Sequence, residues 1–170
     1  MDYKEKYKKY KLKYINLKNQ IGGKIKNAAT ALFFNNYIYL VKEINDLWNL
    51  PGGNINRGET WYDASIREFT EEIGDENMSN LTHEIRKLPE ILRNTFIYTY
   101  TYHKHTIIYL YYLEIIYKNR PNIVFKTNSE TIEGGWFNID KLPDINPKYN
   151  KSITNVIKEY RYYIQKTYTA

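Results

Sequence analysis

The 170-residue chain contains no cysteine. A disulfide framework, a thiolate metal site and a cysteine nucleophile are therefore excluded. The same absence fits a reducing interior such as a cytoplasm. Long apolar runs are missing too. The best one, IIYLYYLEII at 107–116, is short, is broken by Glu114 and reads as a strand rather than a membrane span. The N-terminus carries no apolar signal-peptide segment. No internal repeat is visible. His83, His103 and His105 have no ligand spacing to any partner, and they read as surface residues.

The length suits one domain with a real core. The net charge of +6 invites a nucleic-acid reading until its location is examined. Residues 1–26 hold nine Lys against Asp2 and Glu5, a net +7. The other 144 residues are left with 16 bases and 17 acids, a net −1. The basic character belongs to the leading segment, and the body is near neutral. Lys, Asn, Ile and Tyr also share A/T-rich codons, so their abundance carries little functional weight.

Tyr3, Tyr7, Tyr10, Tyr14, Leu17 and Ile21 recur at steps of four and three, with Lys on the other faces. That is an amphipathic helix, and Gly22-Gly23 is its stop. Residues 1–24 are thus expected to form a basic helical arm ahead of a single folded body at 25–170. Such an arm packs on the body, pairs with a second copy to make a homodimer, or attaches the protein to RNA, an anionic membrane or a partner. It resembles the Lys/Tyr-rich leader that begins many giant-virus proteins, which would place the chain in a host cytoplasm or a virion.

From Ala28 the pattern changes. AATALFF and YIYLVKE flank Asn35-Asn36 and predict a β-hairpin. LWNL at 47–50 predicts a short strand ending at Pro51-Gly52-Gly53. Thr60 is a good N-cap, with Asp63 at the capping-box position, for a helix ending at Ile73 before Gly74. Residues 75–92 read as irregular or weakly stranded. RNTFIYTYTY and TIIYLYYLEII flank His103-Lys104-His105 and predict a second hairpin. IVFK at 123–126 is a further strand candidate, and GGWFNI at 134–139 a last strand. Ile153, Val156, Ile157, Tyr160 and Ile164 mark a C-terminal helix. This order predicts an α/β or α+β fold in layers.

The helix over 60–73 carries the chemistry. At about 100° per residue, Tyr62, Ile66, Phe69 and Ile73 share one face, which is core. Glu68, Glu71 and Glu72 share the opposite side, just behind a glycine loop, with Arg67 four residues from Glu71. Carboxylates this close repel one another unless a positive charge sits among them. Oxygen donors of this kind suit Mg²⁺ or Mn²⁺, hard cations that take carboxylates, waters and phosphate oxygens. Gly52-Gly53 allows a close backbone approach and angles that other residues avoid, and Glu59 is placed to brace Arg67. Trp48, Trp136 and Phe137 read as core, with one available to stack on a base. Asn138 and Asp140 are near enough to the last strand to reach a base edge.

The spacing has a family likeness. Gly53, five residues, Glu59, seven residues, then Arg67-Glu68-Phe69-Thr70-Glu71-Glu72-Ile73-Gly74 resembles the Nudix box. Asp75 replaces the final apolar position. LWNLPGG before the box and ETIEGGWFNIDKLP at 130–143 extend the likeness over about residues 25–145. The resemblance implies a Nudix fold, a mixed sheet sandwiched between helices. It implies hydrolysis of a nucleoside diphosphate linked to another group. It also implies that Glu68, Glu71 and Glu72, helped by the Gly52 carbonyl, bind divalent metals that activate a water, while Gly53, Glu59, Arg67 and Gly74 orient the motif. The general base varies in this family. Glu68 can serve, or a Glu of the loop before the closing strand, where Glu130, six residues before Trp136, is favoured over Glu133. The resemblance leaves three functions open. One is hydrolysis of a small nucleotide: a nucleoside triphosphate, a dinucleoside polyphosphate or a nucleotide sugar. The second is mRNA decapping or diphosphoinositol polyphosphate hydrolysis, with the Lys-rich arm holding RNA through its phosphates. The third is a non-catalytic binding module, against which the intact set of glutamates argues.

Overall fold

The computed structural model describes residues 25–73, 94–101, 104–115, 117–123 and 125–168. The arm at 1–24, Gly74, the segment 75–92 and its His83, and the turn residue His103 lie outside the described residues.

Strand β1 (Ile25–Phe34) is buried at every position from Ala28 to Phe34, as a strand covered on both faces must be. Asn35 and Asn36 then adopt left-handed φ values of 45° and 66°. Asn tolerates that region, and two such residues make the tight turn that suits strand twist. Strand β2 (Tyr37–Glu43) returns antiparallel, so the first hairpin is where the sequence placed it. Strand β3 (Trp48–Asn49) pairs with the end of β2, and β4 (Gly52–Asn54) pairs antiparallel with β1. Helix α1 covers Trp61–Ile73. The second hairpin is β5 (Asn94–Thr101) and β6 (Lys104–Tyr112). Lys104 and His105 belong to β6 rather than to the turn between the strands.

Strand β6 runs parallel to β1, with Ala28 opposite Ile107 and Phe33 opposite Tyr112, so the sheet is mixed. Tyr37 and Ile38 of β2 pair with β1 on one side and with β7 (Thr131–Asn138) on the other. Helix α2 (Asn150–Tyr168) closes the fold. The alternation along β1 sorts the core into two layers. Ala28, Leu32 and Phe34 join Ile66, Phe69 and Ile73 of α1. Ala29, Ala31 and Phe33 join Ile153, Val156, Ile157 and Tyr160 of α2. The sheet is therefore sandwiched between two helices, as expected. The strand expected over 123–126 does not form among its described residues, because the Lys126 N–H is spent on the Ile73 carbonyl at 3.0 Å.

Two ties lock the layers. Thr30, fully buried, donates its hydroxyl to the Ser65 carbonyl of α1 at 3.1 Å. Tyr160 of α2 stacks on Phe33 at 4.3 Å and donates to Glu114 Oε1 at 2.9 Å. Tyr39 is a contrasting case. Its hydroxyl is buried with no hydrogen-bond partner among the described residues, and burial raises its pKa. A Cβ on Gly134 would collide with that hydroxyl and with the Phe125 ring, so the strand opposite needs glycine there. Removing an unsatisfied buried hydroxyl returns its desolvation cost. Tyr39→Phe is expected to raise unfolding stability by about 1 kcal/mol, read from the urea midpoint. A clear loss of stability would show that the hydroxyl has a partner after all.

Candidate active site

Helix α1 starts at its expected cap. Thr60 Oγ1 accepts the Asp63 N–H at 3.0 Å and donates to the Asp63 carboxylate at 2.6 Å. The helix then buries Ala64, Ser65, Ile66, Phe69 and Ile73, and Glu68 with them, contrary to its expected place on the opposite side. Tyr62 of the expected stripe is only half-buried, and it packs edge-on to Tyr109 at 5.5 Å. This rotation turns Glu68 toward β4 and leaves Glu71 exposed and Glu72 half-buried.

The glycines are there for space. An added Cβ on Gly53 would stand 2.5 Å from Glu68 Oε2, and one on Gly52 would stand 2.6 Å from the Ala28 carbonyl oxygen. Neither takes a left-handed φ, and among the described glycines Gly58 does, at 82°. The expectation of unusual angles at Gly52-Gly53 is thus corrected, while the close approach is real. Gly52 lies opposite Ala29, between the Thr30-to-Pro51 and Ile55-to-Lys26 hydrogen bonds of the β1–β4 ladder. At such a non-bonded position of an antiparallel pair, N–H and carbonyl both point away from the neighbouring strand. The Gly52 N–H accordingly donates to Glu72 Oε2 at 2.8 Å, and its carbonyl faces the same side.

Arg67 is the cation among the acids. Its Nε and Nη2 grip Glu59 Oε1 and Oε2 at 2.9 and 3.0 Å, a two-pronged pairing. Nη1 reaches Glu68 Oε1 at 2.8 Å and Glu71 Oε2 at 2.9 Å, and Nη2 also donates to the Asn54 carbonyl. The guanidinium holds the Glu59 carboxyl below its ordinary value, and the carboxylates hold Arg67 charged. Glu68 is raised by burial in spite of Arg67, with the charges of Glu71 and Glu130 adding. Glu72 is pushed up to about 8 by burial, against the Gly52 N–H, with Glu68, Glu130 and Glu43 adding.

Of the two loop glutamates, Glu130 acts on Glu68 and Glu72 through its charge. Glu133, in β7, lies opposite Lys42 and within 3.9 Å of its ammonium. Three participants went unnoticed in the sequence. Glu43, at the end of β2, accepts from the amides of Asn45, Asn49 and Asn146 at 3.0, 3.2 and 3.1 Å, and its charge reaches Glu72. Asn128 and Thr131 bind the carbonyls at the end of α1. No spacing rule singles them out, because their partners lie in other elements. Asp140 is paired with Arg161 of α2, and the Asn138 side-chain Oδ1 accepts the Asp140 N–H at 2.8 Å, so both are engaged within the fold. Trp48 is core, stacked edge-on to Phe137, and the half-buried Trp136 indole donates to the Pro121 carbonyl at 3.2 Å.

Among the described residues, no three His, Cys, Asp or Glu side chains already converge as a metal cage. Arg67 draws Glu68 and Glu71 to itself, and Glu72 turns to Gly52. The donor set still fits a hard divalent cation. Glu72 is a carboxyl among acids, has no cationic partner among the described residues, and lies beside a backbone carbonyl directed to its side.

The NUDIX domain family profile matches residues 24–159, and the chain belongs to the Nudix family. It is a hydrolase of phosphorus-containing anhydrides. No functionally curated protein matches its sequence. Solved structures with the same fold include an ADP-ribose pyrophosphatase from Streptococcus suis 89-1591, at 21% identity, TM-score 0.50, covering 74% of this chain and 81% of that one. A MutT NUDIX hydrolase from Burkholderia pseudomallei matches at 19% identity, TM-score 0.51, over 76% and 96%. A bifunctional NMN adenylyltransferase/ADP ribose pyrophosphatase from Francisella tularensis matches at 23% identity, TM-score 0.58, over 79% of this chain but 40% of that one. A second structure of that protein holds AMP and a manganese ion, at 18% identity, TM-score 0.50, over 76% and 36%. No helix among the described residues is long and apolar enough to cross a membrane.

The raised Glu72 carboxyl predicts an unusual pH response without metal. Between the unfolded value of 4.5 and about 8, the folded protein holds a proton that the unfolded chain has released. Metal-free stability therefore falls as pH rises through that window, with a slope approaching about 1.4 kcal/mol per pH unit. Glu72→Gln keeps an acceptor for the Gly52 N–H but cannot ionise, so it should flatten the slope and be more stable than wild type at pH 8. Urea unfolding in a chelator from pH 5 to 8 measures both. Wild-type stability that climbs over this range would show that Glu72 is ionised throughout.

Proposed function

We propose that the protein is a divalent-metal-dependent pyrophosphohydrolase that cleaves a nucleoside diphosphate linked to another group: a nucleoside triphosphate, a dinucleoside polyphosphate or a nucleotide sugar. The observation that carries this reading is the position of Glu72, half-buried within reach of the charges of Glu68, Glu130 and Glu43, with the Gly52 N–H as its donor. Such a group gains from a cation more than from any rearrangement of the protein alone.

Glu68, Glu71, Glu72 and the Gly52 carbonyl would hold Mg²⁺ or Mn²⁺. When bound, such a cation neutralises pyrophosphate charge and makes an attacking water more acidic. The remaining work belongs to the chain. Arg67, fixed by Glu59, keeps Glu68 and Glu71 on the β4 side of the helix. Glu130 takes the proton of the water that attacks phosphorus, the anhydride P–O bond breaks, and the leaving phosphate departs with the electron pair. Glu68 is the alternative base. Glu133 serves instead as the partner of Lys42.

A second reading, decapping of RNA, is supported by the Lys-rich arm, which would hold RNA phosphates in a salt-dependent way. One substrate panel separates the readings: nucleoside triphosphates, dinucleoside polyphosphates, ADP-ribose and capped RNA, with Mg²⁺ or Mn²⁺. Glu72→Gln should lower kcat on the true substrate about a hundredfold or more, equal to about 2.7 kcal/mol of barrier, with the fold intact by circular dichroism. Turnover equal to wild type would remove Glu72 from the metal site. Glu130→Gln should abolish the acid limb of the pH–rate profile while Glu133→Gln leaves it. The reverse result would exchange their roles. Deleting residues 1–23 should leave small-nucleotide turnover unchanged. If it also leaves capped-RNA turnover unchanged at low salt, the arm does not hold RNA.

A further inference from the structure

The last carbonyls of any helix have no partners within it. At the end of α1 they are met by one loop, residues 126–131. Asn128 Nδ2 donates to the Glu71 carbonyl at 2.9 Å and to the Glu72 carbonyl at 3.0 Å. The Thr131 hydroxyl donates to the same Glu72 carbonyl at 2.7 Å, and the Lys126 N–H donates to Ile73 at 3.0 Å. The other end of the Asn128 amide faces the loop itself. Its Oδ1 accepts the N–H groups of Glu130 and Thr131, both at 2.8 Å. Both hydrogens and both lone pairs of one side-chain amide are thus used.

This amide links the backbones of two carboxylate residues on α1 to the backbone of Glu130. Among the described residues, the other hydrogen bond on the Glu130 main chain is made by its carbonyl, which accepts the Ile44 N–H at 3.2 Å. Thr131 makes a parallel tie to Glu72, but among the described residues its side chain makes no hydrogen bond to Glu130. We propose that Asn128 is a positioning residue that holds Glu130 in register with Glu68 and Glu72. The proposal rests on the pyrophosphohydrolase reading of the same site. Asparagine suits the task because it offers two donors to carbonyls and one acceptor to two N–H groups. Aspartate would set an oxygen against the carbonyls of Glu71 and Glu72, and alanine would offer nothing.

The test combines kinetics with amide exchange. In the Mg²⁺-loaded enzyme, Asn128→Ala should lower kcat about ten- to hundredfold, the usual cost of losing a group that orients a metal-site residue, with KM within about twofold. In a Glu130→Gln background the same change should cost less than about threefold, since it acts through Glu130. In the metal-free protein, Asn128→Ala should speed hydrogen exchange at the Glu130 and Thr131 amides at least about tenfold and leave Phe69 unchanged. An equal kinetic cost in both backgrounds would mean that Asn128 only supports the fold, and overturns the proposal. Unchanged exchange at Glu130 overturns the tie itself. A wild type inactive on the whole panel removes the reading of the site and the positioning role with it, while the exchange result still decides whether the tie exists.

Discussion

Everything at the acidic end of this fold depends on the guanidinium of Arg67. Glu59, Glu68 and Glu71 all reach it, and the Asn54 carbonyl takes a further hydrogen. Its planar fork matches the Glu59 carboxylate with two parallel bonds, so it cannot swing away as an ordinary surface charge would. It ties the β4 strand, the loop after it and the first half of α1 into one body. It also makes a division of labour. Glu68 and Glu71 are neutralised within the protein, whereas Glu72 is turned to a backbone N–H and raised by burial. The uncompensated demand of the cluster is concentrated at Glu72.

Around that point the fold supplies acids from several elements. Glu43 comes from β2, where its carboxylate accepts from three asparagine amides. Glu68, Glu71 and Glu72 come from α1, and Glu130 from the loop before β7. The glycines of β4 let these elements close in. Gly52 admits the β1 backbone and Gly53 admits the Glu68 carboxylate, and any side chain at either position would push them apart. The loop carrying Glu130 is in turn fastened to the end of α1 by hydrogen bonds from Asn128 and Thr131.

Much of this was legible in the order of residues. The Asn35-Asn36 hairpin, the Thr60 cap, the apolar stripe of α1 and that of α2 follow local rules of turn geometry and helical period, and they stand where expected. The box spacing predicted the neighbourhood of Gly53, Glu59, Arg67 and Glu68 because those residues are close in sequence and share one helix–loop unit. The reading failed where a segment's backbone is spent on something distant. IVFK is apolar enough for a strand, but Lys126 donates to the end of α1 instead. His105 looked like a turn residue, yet β6 begins before it.

The sequence by itself determined which residue types meet in the box and which face of α1 is buried. Both are consequences of spacing along a chain with a fixed helical repeat. Tertiary structure alone decided the rest: that Glu133 lies opposite Lys42 while Glu130 acts on Glu72, that Glu43 joins from β2, and that Asn128 closes the helix end. Those choices depend on strand register and on which loop reaches which helix terminus. They are set by packing between segments tens of residues apart, and no local period encodes them.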